Sequence, residues 1–325
     1  MPGDRFTVVT TMRNEGAFLL EWVAHHKALG FDDLVICTND CDDPTADMVK
    51  RLQKMGLARF HATRYLPGQS IQRRALRQAL RLPEVQQAAW IYVCDADEFL
   101  ASRAGDGSVR ALVAAGSPDV QAISVPWRRF GTGGQAEFIE GRITRQFRRA
   151  NATQGPTHVP YAFPKTLIRT DVLPAMDRLG VHVPVMKPGA TLRHERPGGL
   201  PAASDQGKLH VPADYSIAQV NHYQLRSRDS FLVKSARGKV NHVNDKMDYA
   251  YWQFNDIAEQ DCDLIDRYEP AVQRWMDDLL ADARLAMLHQ RAVRWHRDKI
   301  AALHADPDWR PMIDRIDAHR ARNVA

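Results

Sequence analysis

The sequence predicts an α/β fold: a doubly wound, mixed sheet flanked by helices and followed by a helical extension. Three observations carry this. Over the first hundred residues, apolar runs of strand length alternate with segments whose apolar residues recur at helical spacing. Polar and charged residues gather just behind the apolar runs. Beyond about residue 227 the strand pattern gives way to helical periodicity.

The elements read as follows. FTVVTTM (6–12) is a buried strand. In GAFLLEWVAHHKALGF, residues Leu19, Trp22, Val23, His26 and Leu29 share one helical face, and Gly30 stops the helix. LVICTN (34–39) is the second strand. DPTADMVKRLQKMG is a helix with Asp43 as N-cap, Pro44 at the first helical position and Gly56 past its end. ARFH (58–61) is a weaker third strand. SIQRRALRQALR (70–81) is a helix with Ile71, Leu76, Ala79 and Leu80 inward, and AWIYVC (89–94) is the fourth strand. After residue 100, AISVPWRRFGTGG, TRQFRR, PKTLIRT, ATLRHE and AQVNHYQ read as further strands, with Gly- and Pro-rich loops at 151–164 and 184–214. SRDSFLVKSARGK is a helix, and 267–304 holds one or two longer ones. The expected division is a sheet domain over 1–240 and a helical extension over 241–325 packed on it.

Composition narrows the class. With 325 residues and 44% hydrophobic content the chain can bury a large core. A net charge of +5, from 44 basic against 39 acidic residues, does not indicate a nucleic-acid binder, but suits an anionic ligand or an anionic membrane surface. No signal peptide and no 18-residue apolar span is evident. The four cysteines form neither a CxxC pair nor a disulfide framework, so a reduced, cytoplasmic setting is expected, with peripheral attachment at the inner membrane surface as an option.

The chemistry concentrates in IYVCDADEFL (91–100), where Asp95, Asp97 and Glu98 follow a buried strand. Carboxylates at i and i+2 can reach one hard cation such as Mg2+ or Mn2+, which commonly keeps open positions for water and substrate phosphates. The bland reading of DADE is a helix N-terminus, where acidic residues are favoured by the dipole. In a parallel sheet, ligands bind beyond the C-terminal strand ends. Arg13, Asn14 and Glu15 lie behind the first strand and Asn39 to Asp43 behind the second, so polar residues from three strand ends converge. Their bland reading is again capping, with Asn14 as N-cap and Glu15 in the first turn.

MRNEGAFLLEWVAHHKALGFDDLVICTNDCDD, AWIYVCDADEFL and VNHYQLRSRDSFLVKSARG together resemble the glycosyltransferase family 2 type of GT-A-fold enzymes, and more narrowly the DUF23/family-92-like branch. The match spans roughly residues 6–240. Two departures are Arg226, where that branch often has Lys, and Thr170, where a Pro often follows the KxxxR stretch. The resemblance implies a metal-dependent glycosyltransferase that uses Mn2+ or Mg2+ and a nucleotide-sugar. UDP is the expected carrier and GDP the alternative. Asp95 would lie near ribose and metal, Asp97 would be the direct ligand, and His222 would complete the shell. Arg13, Asn14, Glu15 and Asn39 would face the nucleobase and ribose. Arg73, beside Gln72, could pair with a phosphate, and Lys234 and Arg237 could grip the diphosphate.

The implied reaction is a single, inverting displacement, which needs a base for the acceptor proton. Glu195 in LRHERPGG is the first candidate, with His182 and Asp214 as alternatives. Glu98 is expected to orient the metal box or cap a helix. Lys165 also matches the resemblance. WRRFGTGG (127–134) suits an acceptor sugar, or is an ordinary strand and turn. The expected acceptor is a glycan or a lipid-linked one, by analogy that of a surface polysaccharide, and no nucleic-acid partner is expected. The basic tail, with Trp295 and Trp309, reads as a packed amphipathic helix or a membrane-surface segment. Two other readings stay open. One is a non-catalytic glycan- or nucleotide-binding protein on the same fold. The other is a nucleotidyltransferase, although the single Gly of TMRNEG makes a poor phosphate loop. A haloacid-type phosphatase would carry its aspartates after the first strand, not the fourth.

Overall fold

The computed structural model describes residues 4–64, 68, 70–155, 157–202, 210–238 and 247–324. Strands β1 (Phe6–Met12), β2 (Asp33–Thr38), β3 (Arg59–Ala62) and β4 (Trp90–Val93) are parallel and lie in the order β3-β2-β1-β4. Helices α1 (Leu19–Ala28), α2 (Thr45–Lys54) and α3 (Ile71–Ala79) lie between them in sequence. Period-2 alternation divides the strand residues between two cores. Val8, Leu34, Ile36 and Tyr92 join α1 and α2 on one face. Val9, Val35, Ile91 and Val93 join Ala75, Leu76 and Ala79 of α3 on the other.

Further strands are β5 (Glu98–Ser102), β6 (Ala122–Arg129), β7 (Pro164–Arg169), β8 (His194–Arg196), β9 (Leu200–Pro201) and β10 (Ala218–His222). Beyond β4 the sheet continues through β7, β6, β8 and β9. β7 is antiparallel to both β4 and β6, so the sheet is mixed but mostly parallel. β6 divides its pairing. Residues up to Pro126 pair with β7, whereas Trp127 to Arg129 pair with β10, which pairs antiparallel with β5.

Some local expectations change. α1 is buried on nearly every side, Leu20, Glu21, Ala24 and His25 included, because the helix α6 (Glu269–Ala281) packs along it. TRQFRR is not a strand: Ile143–Gln146 is a helical turn and only Arg149–Ala150 is extended. The buried Glu21 carboxylate accepts the Ile143 and Thr144 N–H groups at 2.7 and 3.0 Å, satisfying amides that such a turn leaves open. In α3, Ile71 and Leu80 are half-buried, and Gln72 and Ala75 take the inner positions.

The later helices include α4 (Arg228–Ala236), α5 (Tyr249–Asn255), α7 (Ala283–Ala305) and α8 (Arg310–Val324). α7 packs on α2 and α4. Phe231 and Leu232 of α4 share a core with Trp252, Leu303 and Ile316. Among the described residues, no helix is long and apolar enough to cross a membrane. All four cysteines are free.

Burial lowers both His25 and His296 to about 4, below the 6.5 of an unfolded histidine. The unfolded chain therefore takes up these protons first. Stability from this source is complete above pH 6.5 and is lost as pH falls toward 4, by up to about 3 kcal/mol per histidine. The thermal midpoint is expected to drop steadily between pH 7 and pH 4.5 in a calorimetric series. A flat profile across that window would show that these rings are not held neutral.

Candidate functional site

A cavity of about 270 Å³ opens at the C-terminal ends of β1, β4, β6 and β10. Its walls include Arg13, Glu15, Gln72, Asp95, Asp97, Trp127, His182, His222, Lys234, Arg237 and Tyr251. Backbone pairing builds its centre. β4 ends at Val93, and β5 begins at Glu98, so DADE is a strand-to-strand connection and caps no helix. Glu98 is paired with His222 in the β5–β10 ladder, and the Tyr223 N–H donates to the Asp97 carbonyl at 2.9 Å. This brings Asp97 beside His222 although 125 residues separate them.

Asp97 Oδ1 lies 3.7 Å from His222 Nε2. That is too long for a hydrogen bond, yet within the reach of two ligand bonds of about 2.1 Å each. His222 Nδ1 is buried without a partner. Burial holds the His222 ring below its ordinary value, against the pull of Asp97, so the ring is neutral and able to ligate. Burial alone would raise the Asp97 carboxyl. Lys234, His222 and Arg226 outweigh it and hold the group well below the usual range. Lys234 Nζ bonds to Asp97 Oδ2 and to the Gln224 carbonyl.

Asp95 does not join this pair. Its Oδ1 accepts from Gln72 Nε2 at 2.7 Å and its Oδ2 from Lys165 Nζ at 2.8 Å. Of the three residues expected to share a metal, Asp97 and His222 stand together, whereas Asp95 is engaged by Gln72 and Lys165. Among the described residues, no three His, Cys, Asp or Glu side chains form a ready-made cage. Two protein ligands are what a cation needs when substrate phosphates supply the rest. Glu98 orients the box: its Oε2 accepts the Asp95 N–H at 2.8 Å and lies 3.2 Å from Lys165 Nζ. Lys165 is wholly buried, and the neighbouring Asp95 and Glu98 overcome its desolvation and keep it charged. Burial and the Asp95 and Asp97 charges push Glu98 up, against the pull of Lys165.

Behind β1, the buried Glu15 is clamped by Arg226 at 2.9 Å and Arg237 at 2.6 Å. Arg226 has φ +60, a strained conformation for this residue, and lies 3.7 Å over the Phe18 ring. Asn14 is not a helix cap, since α1 begins only at Leu19. It has φ +54, tolerable for Asn, and its Oδ1 accepts the Asp42 N–H at 2.7 Å, tying the first two strand ends together. Asn14 lines an adjoining cleft of about 260 Å³ with Arg13, Asp42, Arg237, Trp295 and Lys299. The N-cap position of α2 is Pro44, not Asp43 as expected; Asp43 lies one residue earlier, where its carboxylate accepts the Thr45 N–H at 2.9 Å and the Gly16 N–H.

Four other predicted residues lie outside the cavity wall. Arg73 is the exposed neighbour of Gln72 on α3. Asn39 is buried behind β2, with its amide 3.4 Å from Asp40 Oδ2. Glu195 sits on β8 opposite Ile123, near the start of β6, and its Oε2 accepts the Ser117 N–H. The cavity is at the other end of β6, about 13 Å along the strand. Asp214 caps the Ser216 N–H and faces Arg196 at 3.7 Å. His182 does line the cavity. Its Nδ1 bonds the Pro164 carbonyl at 3.0 Å, its ring packs edge-on against Trp127, and burial, with Lys165 nearby, lowers it to about 4. Sequence reasoning missed Thr11, Val181 and Tyr251. The aromatic run YAYW was the only signal for Tyr251.

Fold and site together define an α/β protein with a cation-rich crevice at its C-terminal strand ends. No family profile matches the chain. Over 95 residues, 29% of its length, it is 35% identical to a glycosyltransferase family 92 protein of Oryza sativa subsp. japonica, and the match spans 15% of that relative. Among solved structures it is similar to S. aureus TarS 1–349 in complex with UDP, at 15% identity and a TM-score of 0.32, covering 52% of this chain and 48% of that one. It is also similar to the glucosyl-3-phosphoglycerate synthase of Mycobacterium tuberculosis, solved with Mn2+, UDP and glucosyl-3-phosphoglycerate. There the identity is 16% and the TM-score 0.30, over 54% and 60% of the two chains.

Proposed function

We propose that this chain is a glycosyltransferase that moves a sugar from a nucleoside diphosphate carrier, UDP by expectation, to an acceptor hydroxyl. The observation that carries the reading is the Asp97–His222 pair, 3.7 Å apart and ringed by Arg13, Lys234 and Arg237. The rice relative supports the same class through its name.

Asp97 and His222 would hold a divalent cation, which would supply charge neutralisation for the departing diphosphate. Arg13, Lys234 and Arg237 offer the donors for the phosphate oxygens. The adjoining cleft beside Asn14 and Trp295 suits the nucleobase. Single displacement with inversion fits the charges: Glu15 is held by two arginines and Asp95 by Lys165 and Gln72, so neither is free to act as a nucleophile. His182 is the best-placed base. Its Nδ1 is engaged with a carbonyl, which fixes the tautomer and leaves Nε2 as the acceptor for the hydroxyl proton. The acceptor oxygen then bonds to the anomeric carbon as the sugar–phosphate bond breaks, and the diphosphate leaves with that electron pair.

Calorimetric titration with UDP and with GDP, each with and without Mn2+, tests the reading. Binding of one nucleotide that strengthens at least about tenfold with Mn2+ is expected. Equal binding with and without metal, or none to either nucleotide, overturns it.

A further inference from the structure

A second cavity of about 500 Å³ shares Trp127, His222 and Tyr251 with the first as wall residues. Its apolar lining is mainly aromatic: Trp127, Tyr161, Phe163, Tyr215, Tyr251 and Phe254. Three of these rings stand in the open, Phe254 being 70% exposed, Tyr161 54% and Phe163 42%. Two residues of β6, Trp127 and Arg129, line this aromatic surface. Trp127 Nε1 is buried with no partner. Arg129, the last residue of β6, lies with its guanidinium 4.9 Å over the Phe254 ring and donates to the Phe254 carbonyl at 3.2 Å. Among the described residues no carboxylate lies within ion-pair distance of Arg129, and Glu259 acts on it only at longer range. The amides around it are committed elsewhere. Asn151 accepts from the Arg129 N–H, and Gln224 bonds to Asn255.

Resting on the transferase reading, we infer that this groove holds the acceptor and that the acceptor is an acidic saccharide, whose carboxylate or phosphate pairs with Arg129. Ring faces pack on the C–H faces of a pyranose, whereas an acyl chain would ask for the aliphatic lining that is scarce here. An unpaired guanidinium in such a groove selects an anionic group, by charge-assisted hydrogen bonds. The groove is positioned to serve the reaction because His222 and Trp127 belong to both cavities.

Saturation-transfer NMR on the full chain tests this with three probes: methyl β-glucuronide, glucose 6-phosphate and methyl β-glucoside. At least one acid is expected to bind about tenfold or more tightly than the glucoside. The stronger of the two acids distinguishes carboxylate from phosphate. Arg129→Gln should abolish that preference and Arg129→Lys should restore part of it. Phe254→Leu, at an exposed position, should weaken all three probes. Mn2+-dependent UDP binding, measured on every variant, reports folding and the donor site separately. No preference for either acid in the wild type, or a preference that survives Arg129→Gln, overturns the inference. Loss of UDP binding in the wild type alone would sink the transferase reading and leave the groove result to stand by itself.

Discussion

Asp97→Asn is expected to abolish metal-dependent nucleotide binding and to lower transfer by a hundredfold to a thousandfold, about what losing one preorganised charge contact at a reacting centre costs. The substitution keeps the shape and removes the charge. It acts on the carboxylate that faces His222, and Asp97 is held ionised by Lys234 and His222 despite its burial. The fold should persist, because the Tyr223 N–H bonds the Asp97 carbonyl and not its side chain. His222→Gln should weaken the Mn2+ dependence in parallel. Titration of UDP against Mn2+ decides it: an unchanged metal requirement in Asp97→Asn would remove Asp97 from the proposed shell and leave the crevice a purely cationic binding site.

Lys165→Met is expected to have the largest effect on stability. Lys165 is 0% exposed and lies 2.8 Å from Asp95 and 3.2 Å from Glu98. Removing the ammonium leaves the buried Glu98 and the half-buried Asp95 side by side without the cation they share. Such a loss costs about 3–5 kcal/mol, far more than the net worth of an intact buried pair. Urea unfolding should show the midpoint falling with little change in slope. Lys165→Met combined with Asp95→Asn should recover part of the loss, because the pair is coupled through one contact. If the single variant is as stable as the wild type, Lys165 does not hold the acidic turn together.

Much of the fold was legible because it rests on local patterns. The first four strands are apolar runs bounded by turn residues, and the turns at Gly30 and Gly56, both with positive φ, were marked by the residue type that tolerates it. The strand-end residues Arg13, Glu15 and Asp97 do meet Lys234 and Arg237 of the α4 end in one cavity. What could not be read depends on partners remote in sequence. Asp95 and Asp97 look equivalent in DADE, but Lys165 and Gln72 take the first while Lys234 and His222 flank the second. Glu195 reads as a free acid near a glycine turn, and nothing local reveals that its strand joins the sheet beside the start of β6. TRQFRR has strand composition, yet a carboxylate on α1 fixes it as a helical turn.

The divided pairing of β6 also has a consequence for how the molecule can change. Up to Pro126 the strand is locked into the large sheet, and from Trp127 to Arg129 it belongs to the ladder with β10. The aromatic groove is walled largely by segments outside both ladders, the stretch around 159–163 and the end of α5. Those segments can be exchanged or lengthened while the Asp97–His222 geometry stays fixed by its backbone pairing. Evolution, or an engineer grafting loops, thus has one surface to vary for what is received and another to leave alone for what is delivered.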